Sequence, residues 1–327
     1  MNEQNDLLFK DIISFGGLTQ LNDENIRLRN QQIRDGFLIH TCNDYDNSLE
    51  VIKKASYNID SLNIILKVYF NYPDRKHKRN SPLKKQIEYA IKRLGRKPKN
   101  FVLQFCCYFN SKIFKENFFL NFILGLKQTY NINAIYFEYY PVYDYDWKSF
   151  LHLKNTFPEI NFGIIGYQNL FKKVFNENNL RIIGDLKIPI AFIGVLGKNP
   201  KRDIIISKEY LDINRSNDLD EIDYNFFYLI KNIRRFKSSF GITQASSFKN
   251  YENLKKRLNK YNDLGYKLFN DFTDPYFLNK KINFIKNDQY GGKHFFKDYL
   301  KNPKLIAHFL RKRVLYFKGK SYYFNQT

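Results

Sequence analysis

A (β/α)8 barrel of the TIM type, an α/β fold carrying a C-terminal extension, is the architecture this 327-residue chain encodes. Three features say so. Eight apolar runs recur along it: IISFGG (12–17), FLIHT (37–41), LNIILKVYF (62–70), FVLQFCCYF (101–109), NAIYFEYY (133–140), INFGIIGY (160–167), IPIAFIGVLG (188–197) and SFGITQA (239–245). They are continuous, not alternating, as in parallel strands buried on both faces. Stretches with helical periodicity lie between them, giving the strand–helix alternation of a closed barrel. No G-x-G-x-x-G follows the first run, which leaves a doubly wound dinucleotide-binding sheet as the weaker rival.

The elements follow in order. The second run ends in a polar crowd, HTCNDYDNS, and Ser48 opens a helix. Residues 82–94 (PLKKQIEYAIKRL) set Leu83, Ile87, Ala90, Ile91 and Leu94 on one stripe, and Gly95 follows as a helix stop. Residues 113–127 and 221–236 repeat that pattern, and NYENLKKRL (250–258) makes a further helix. From Leu264 the alternation ceases. FTDPYF, a Gly291-Gly292 turn, an amphipathic stretch and an aromatic tail take its place. Residues 1–263 are therefore read as the barrel, and 264–327 as a helical, aromatic appendage packed on it.

Composition narrows the classes. Hydrophobic residues make up 43% of the chain, enough to bury a large core. No run of about 18 apolar residues occurs, so no membrane span is expected. MNEQNDLLFKDII lacks the basic-then-apolar order of a secretion signal. The three cysteines are Cys42, Cys106 and Cys107, and the adjacent pair points to opposite strand faces. A reduced, cytoplasmic setting is the expectation. The formal charge of +22 is spread over dispersed clusters such as 75–79, 92–97, 255–257 and 311–313. Several sit at helical spacing and read as solvated faces, so no nucleic-acid partner is expected. A basic surface would still draw in acidic substrates or phosphate-bearing cofactors.

Chemistry in such a barrel sits at the C-terminal ends of the strands. The second strand ends at His40, with Tyr45 in its loop. The third carries Lys67, the fourth reaches Cys106, Cys107 and Tyr108, and the fifth carries Glu138. A charge inside an apolar strand is costly unless paired or functional. Lys67 near Tyr45 would lower the phenol's pKa and make it a general acid near neutral pH. Pairing of Lys67 with Glu138 as a structural salt bridge stays open beside that reading. Asp44, Asp46 and Ser48 read as loop and cap residues. The five histidines show no metal-ligand spacing, and no metal is expected. Neither a G-x-S-x-G elbow nor a P-loop occurs. Gly194, Gly197 and Lys198 form either a phosphate cradle or an ordinary glycine turn.

At these positions the chain resembles the aldo/keto reductase family. That family's D-T-A-x-x-Y-G-x-S-E stands against His40-Thr41-Cys42-Asn43-Asp44-Tyr45-Asp46-Asn47-Ser48-Leu49. Its catalytic lysine matches Lys67 in ILKVYF, and its S-L-x-R-L-G looks like AIKRLG (90–95) before FVLQFCCYFN. Its strand-end His then falls on Tyr108. Its A-Y resembles Ala191-Phe192, and its R-x-x-E-N resembles Lys249-Asn250-Tyr251-Glu252-Asn253. The likeness runs from about residue 12 to about residue 260.

That resemblance implies an NADP(H)-dependent oxidoreductase acting on a small carbonyl or sugar-like substrate. Tyr45 would be the proton donor, tuned by Lys67, with Tyr108 and His40 completing the catalytic set. Glu138, Tyr139, Phe192, Gly194, Lys198, Lys249, Glu252 and Asn253 would meet the cofactor. Departures stand beside the matches. The family's Asp becomes His40, its His becomes Tyr108, and its S-N pair falls on Glu138-Tyr139. The Q-x-x-Y-N motif reads Ile164-Ile165-Gly166-Tyr167-Gln168. A redox-inactive or repurposed barrel, binding an anionic or sugar-like ligand, is the alternative.

Overall fold

The computed structural model describes residues 13–69, 83–106, 114–138, 146–167, 182–193, 205–206, 240–257, 259 and 282–283. Eight strands close into a parallel barrel: β1 (Ile13–Gly16), β2 (Leu38–Cys42), β3 (Asn63–Tyr69), β4 (Asn100–Cys106), β5 (Ile132–Glu138), β6 (Asn161–Tyr167), β7 (Ile190–Ile193) and β9 (Phe240–Gln244). Closure is made by β9 on β1, with Ile13 opposite Gly241 and Gly16 opposite Gln244. The eight apolar runs and the eight barrel strands coincide, so the expected α/β barrel is the observed one. The short β8 (Ile205–Ile206) lies outside it, paired antiparallel with β10 (Ile282–Asn283). Apart from that pair of residues, the expected appendage (264–327) lies outside the described residues, as does the expected helix over 221–236.

Six longer helices are described: α1 (Asp23–Arg34), α2 (Ser48–Ala55), α3 (Leu83–Leu94), α4 (Asn117–Thr129), α5 (Trp147–Thr156) and α6 (248–257). The stripe read over 82–94 is α3, which buries Leu83, Ile87, Ala90 and Leu94. Gly95 ends it at φ 75°, a left-handed backbone that glycine tolerates. α1 has a different logic. Asn22 caps it by accepting from the Asn25 amide at 2.9 Å, with Asp23 and Glu24 in the first turn and Arg34 in the last. Its buried face holds Arg29 and Gln32 beside Leu28 and Ile33, so the apolar stripe is interrupted by polar residues. Among the described residues, no helix is long and apolar enough to cross a membrane.

Strand alternation sorts the apolar residues into two cores. Outward-facing Phe15, Ile39, Leu66, Phe105 and Phe137 pack under the helices. Phe137 stacks on Phe162 with centroids 6.2 Å apart and meets Phe114 from the helical layer at 4.7 Å. Each fully buried side chain of this size contributes about 1.5–3 kcal/mol. Inward-facing Ile65, Val102, Tyr136, Ile165, Ala191, Phe240 and Ile242 fill the lumen. Tyr136 crosses it to meet Phe240 edge-on at 5.2 Å. Gly163 makes room for that ring, since a Cβ there would lie 2.4 Å from it. The barrel is thus a filled core with an apolar floor.

Candidate functional site: the mouth at β2, β3 and β4

On β2, Ile39 belongs to the outer core and Leu38 packs on the lumen cluster, so His40 faces inward. The same alternation turns Lys67 inward between Leu66 and Val68, and Gln104 inward between Leu103 and Phe105. In register, His40 lies opposite Ile65, and Lys67 lies between Cys42 and Gln104. His40 and Gln104 are therefore two strands apart, roughly 10 Å along the sheet. They meet over β3 on the lumen side: His40 Nε2 and Gln104 Oε1 are 2.8 Å apart, and both residues are buried. Gly16 on β1 leaves space for this ring. A Cβ there would stand 3.3 Å from His40 Nδ1.

Burial is the main force on the His40 imidazole, and the Lys67 ammonium adds to it. The Gln104 hydrogen bond opposes both, and Arg29 contributes a smaller push downward. The pKa falls from 6.5 to about 4. His40 is therefore neutral at pH 7, carrying neither the negative charge of an aspartate nor the positive charge of an imidazolium.

Tyr45 sits in the loop between β2 and α2. Its amide donates to the Cys42 carbonyl at 3.2 Å, and its own carbonyl accepts from the Ser48 amide at 2.7 Å. The phenol ring lies edge-on to His40, with centroids 5.8 Å apart. Cys42 is buried, and its Sγ accepts from the Asp44 amide at 3.4 Å. Thr41 faces outward and its Oγ1 lies 2.9 Å from Ser48 Oγ, binding the strand end to the start of α2. Asp46 adopts a left-handed φ of 37°.

Of the sequence-derived site residues, His40 meets the Tyr45 ring and lies within electrostatic reach of Lys67. Lys249, Glu252 and Asn253 lie exposed on α6, which follows β9 directly. Ser247 caps that helix, its Oγ accepting from the Asn250 amide at 3.2 Å. Glu138 closes β5 opposite Ile165, and Phe192 pairs in register with Gly166 and Gly241. Tyr108, Tyr139, Gly194 and Lys198 lie outside the described residues.

Two residues at this site escaped the sequence reading. Gln104 had a visible signal, an amide inside the apolar FVLQF. Arg29 had none, since an arginine on a polar helix looks solvated. It is instead fully buried at the end of β1. It donates from Nη1 to the Phe15 carbonyl at 3.2 Å and Gln32 Oε1 at 2.8 Å, and from Nη2 to the Gly17 carbonyl at 2.8 Å. Burial lowers its pKa to about 9, which still leaves it cationic at neutral pH. Tyr136, also in the lumen, has its pKa raised by burial and stays a neutral phenol.

No family model matches the chain, and no curated protein matches it in sequence. Among solved structures it is similar to an aldo/keto reductase from Brucella melitensis, at 14% identity and a TM-score of 0.45, covering 75% of this chain and 94% of that one. It is also similar to MGS-M4, an aldo-keto reductase from a Medee basin deep-sea metagenome library, at 13% identity and a TM-score of 0.49, covering 76% and 90%. A third is a single-residue variant of Gox0644 in complex with NADPH, at 10% identity and a TM-score of 0.48, covering 76% and 83%. The first two are aldo-keto reductases, and all three resemble this chain in fold at low identity.

Proposed function

We propose that the chain is a divergent aldo/keto reductase-like oxidoreductase, transferring hydride between NADP(H) and a carbonyl or alcohol substrate. The observation that supports this reading is the Tyr45 ring set 5.8 Å from the His40 imidazole, on which the Lys67 charge also acts, at the end of the barrel where such folds place chemistry. The order of the motifs along the chain supports it. Tyr45 donates its phenolic proton to the oxygen that gains charge as the carbonyl is reduced. The Lys67 ammonium stabilises the phenolate left behind. Neutral His40, fixed to Gln104, orients the pair and supplies no counter-charge of its own. Tyr108 takes the place of the family's histidine as a hydrogen-bond donor to the carbonyl oxygen.

The residues at the rim fit the adenosine end of the cofactor. An exposed Lys249 in the first turn of α6 offers cationic charge beside a helix N-terminus, the combination that suits a phosphate. Glu252 and Asn253, one turn on, would meet the adenine. Gly194 and Lys198 would take the pyrophosphate. Phe192 would stack on the nicotinamide, with Glu138 and Tyr139 at its carboxamide. When bound, NADPH supplies the hydride.

One observation favours a second reading. A neutral His40–Gln104 bridge replaces the family's aspartate, which suits a barrel repurposed for an anionic or sugar-like ligand. Fluorescence titration with NADPH separates the two. Saturable binding is expected, lost on Lys249→Glu and kept in Tyr45→Phe. A flat titration at millimolar cofactor, with an anionic ligand raising Tm, would favour the repurposed barrel.

A further inference from the structure

One side chain grips the loop that carries Tyr45. Arg93, near the end of α3, reaches over to α2 and to the β2–α2 loop. Its Nε donates to Glu50 Oε1 at 2.7 Å, and its Nη2 meets Glu50 Oε2, so guanidinium and carboxylate join by two contacts. Nη2 also donates to the Asp46 carbonyl at 3.2 Å, and Nη1 reaches the Asn43 carbonyl at 3.4 Å. Those two carbonyls flank Tyr45 on either side. Asn43 is itself tied to α3, its Nδ2 donating to the Gln86 carbonyl at 2.9 Å. The Tyr89 ring centroid lies 5.7 Å from the guanidinium, within cation–π reach. Asp46 holds a positive φ, a conformation Asp adopts more readily than most non-glycine residues.

We propose that Arg93 is a positioning residue: it fixes residues 43–46 and through them holds the Tyr45 phenol against His40. The functional weight of this rests on the reductase reading, because that reading gives Tyr45 its task. The grip itself does not. Lysine cannot replace the arginine, since one ammonium cannot serve both oxygens of Glu50 and two carbonyls at once. Arg96 provides an internal comparison. Three residues on, it donates from Nη1 to the Ile59 carbonyl at 2.6 Å and from Nη2 to the Ser56 carbonyl at 2.8 Å. It makes the same kind of bonds at the far end of α2, away from Tyr45.

The test uses the full chain with ring-labelled tyrosine, the Tyr45 signal being assigned by its loss in Tyr45→Phe. Arg93→Gln is expected to speed hydrogen exchange at the Tyr45 and Ser48 amides about tenfold and to shift the Tyr45 ring signal. Arg93→Lys is expected to behave like Arg93→Gln. Arg96→Gln is expected to lower Tm while leaving both loop readouts unchanged. Glu50→Gln keeps Arg93 but removes its charged partner, and reads the same loop effect should Arg93→Gln fail to fold. The proposal is overturned if both loop readouts stay at parental values in Arg93→Gln or Glu50→Gln, or if Arg96→Gln moves them equally. Neither readout needs NADPH, so failure of the reductase reading and failure of this one are told apart.

Discussion

His40→Gln is expected to remove a defined part of the protein's acid sensitivity. In the unfolded chain this imidazole takes up a proton near pH 6.5; in the fold it does so only near 4. Between those values the unfolded state binds more protons, so stability is present above pH 6.5 and is lost as pH falls towards 4. The gap of 6.5 − 4 units, at about 1.36 kcal/mol per unit, amounts to on the order of 3 kcal/mol. About 2 kcal/mol of it falls between roughly pH 7 and pH 5. Glutamine keeps hydrogen-bonding capacity towards Gln104 and does not titrate. Urea unfolding of parent and variant at those two pH values cancels the other titrating groups. The variant is expected to lose about 2 kcal/mol less than the parent over the interval. Equal losses would mean that His40 is already charged in the fold, and the neutral bridge would fall. An imidazole NMR signal titrating near 6.5 would lead to the same conclusion.

Three further outcomes are expected. Gly163→Ala drives a methyl to within 2.4 Å of the Tyr136 ring and 2.6 Å of the Pro189 carbonyl. Overpacking on this scale costs about 1–3 kcal/mol or more, visible as a lowered urea midpoint. Arg29→Met removes the donors that satisfy the carbonyls at the end of β1, at a cost of about 3 kcal/mol; a midpoint within error of the parent would show those bonds to be dispensable. Tyr45→Phe is expected to abolish carbonyl reduction, by about 10² to 10⁴-fold, while Tm moves little because the ring is retained. NADPH oxidation with a small aldehyde probe reads the first, and a thermal melt the second.

The barrel was legible because its information is local. Each strand is buried on both faces, so it reads as a continuous apolar run, and eight such runs leave few other architectures. The α3 stripe was legible for the same reason, with 3.6-residue periodicity and a glycine stop. α1 was not, because its buried face includes Arg29 and Gln32, whose partners are backbone carbonyls on β1 and each other. Local sequence made Tyr45, Lys67 and His40 candidates: a phenol, an amine and an imidazole at strand ends. It could not tell whether His40 would act as acid, base or ligand.

That was decided by closure. As the sheet curves into a cylinder, the inward faces of β2 and β4 tilt towards each other over β3, bringing His40 onto Gln104, 64 residues away. Burial there, with Lys67 alongside, then strips the imidazole of its charge. Apolar patterning is a property of neighbours in the chain, so the sequence alone determined the barrel. Ionisation depends on what surrounds a group in space, so only the tertiary structure decided that His40 is neutral.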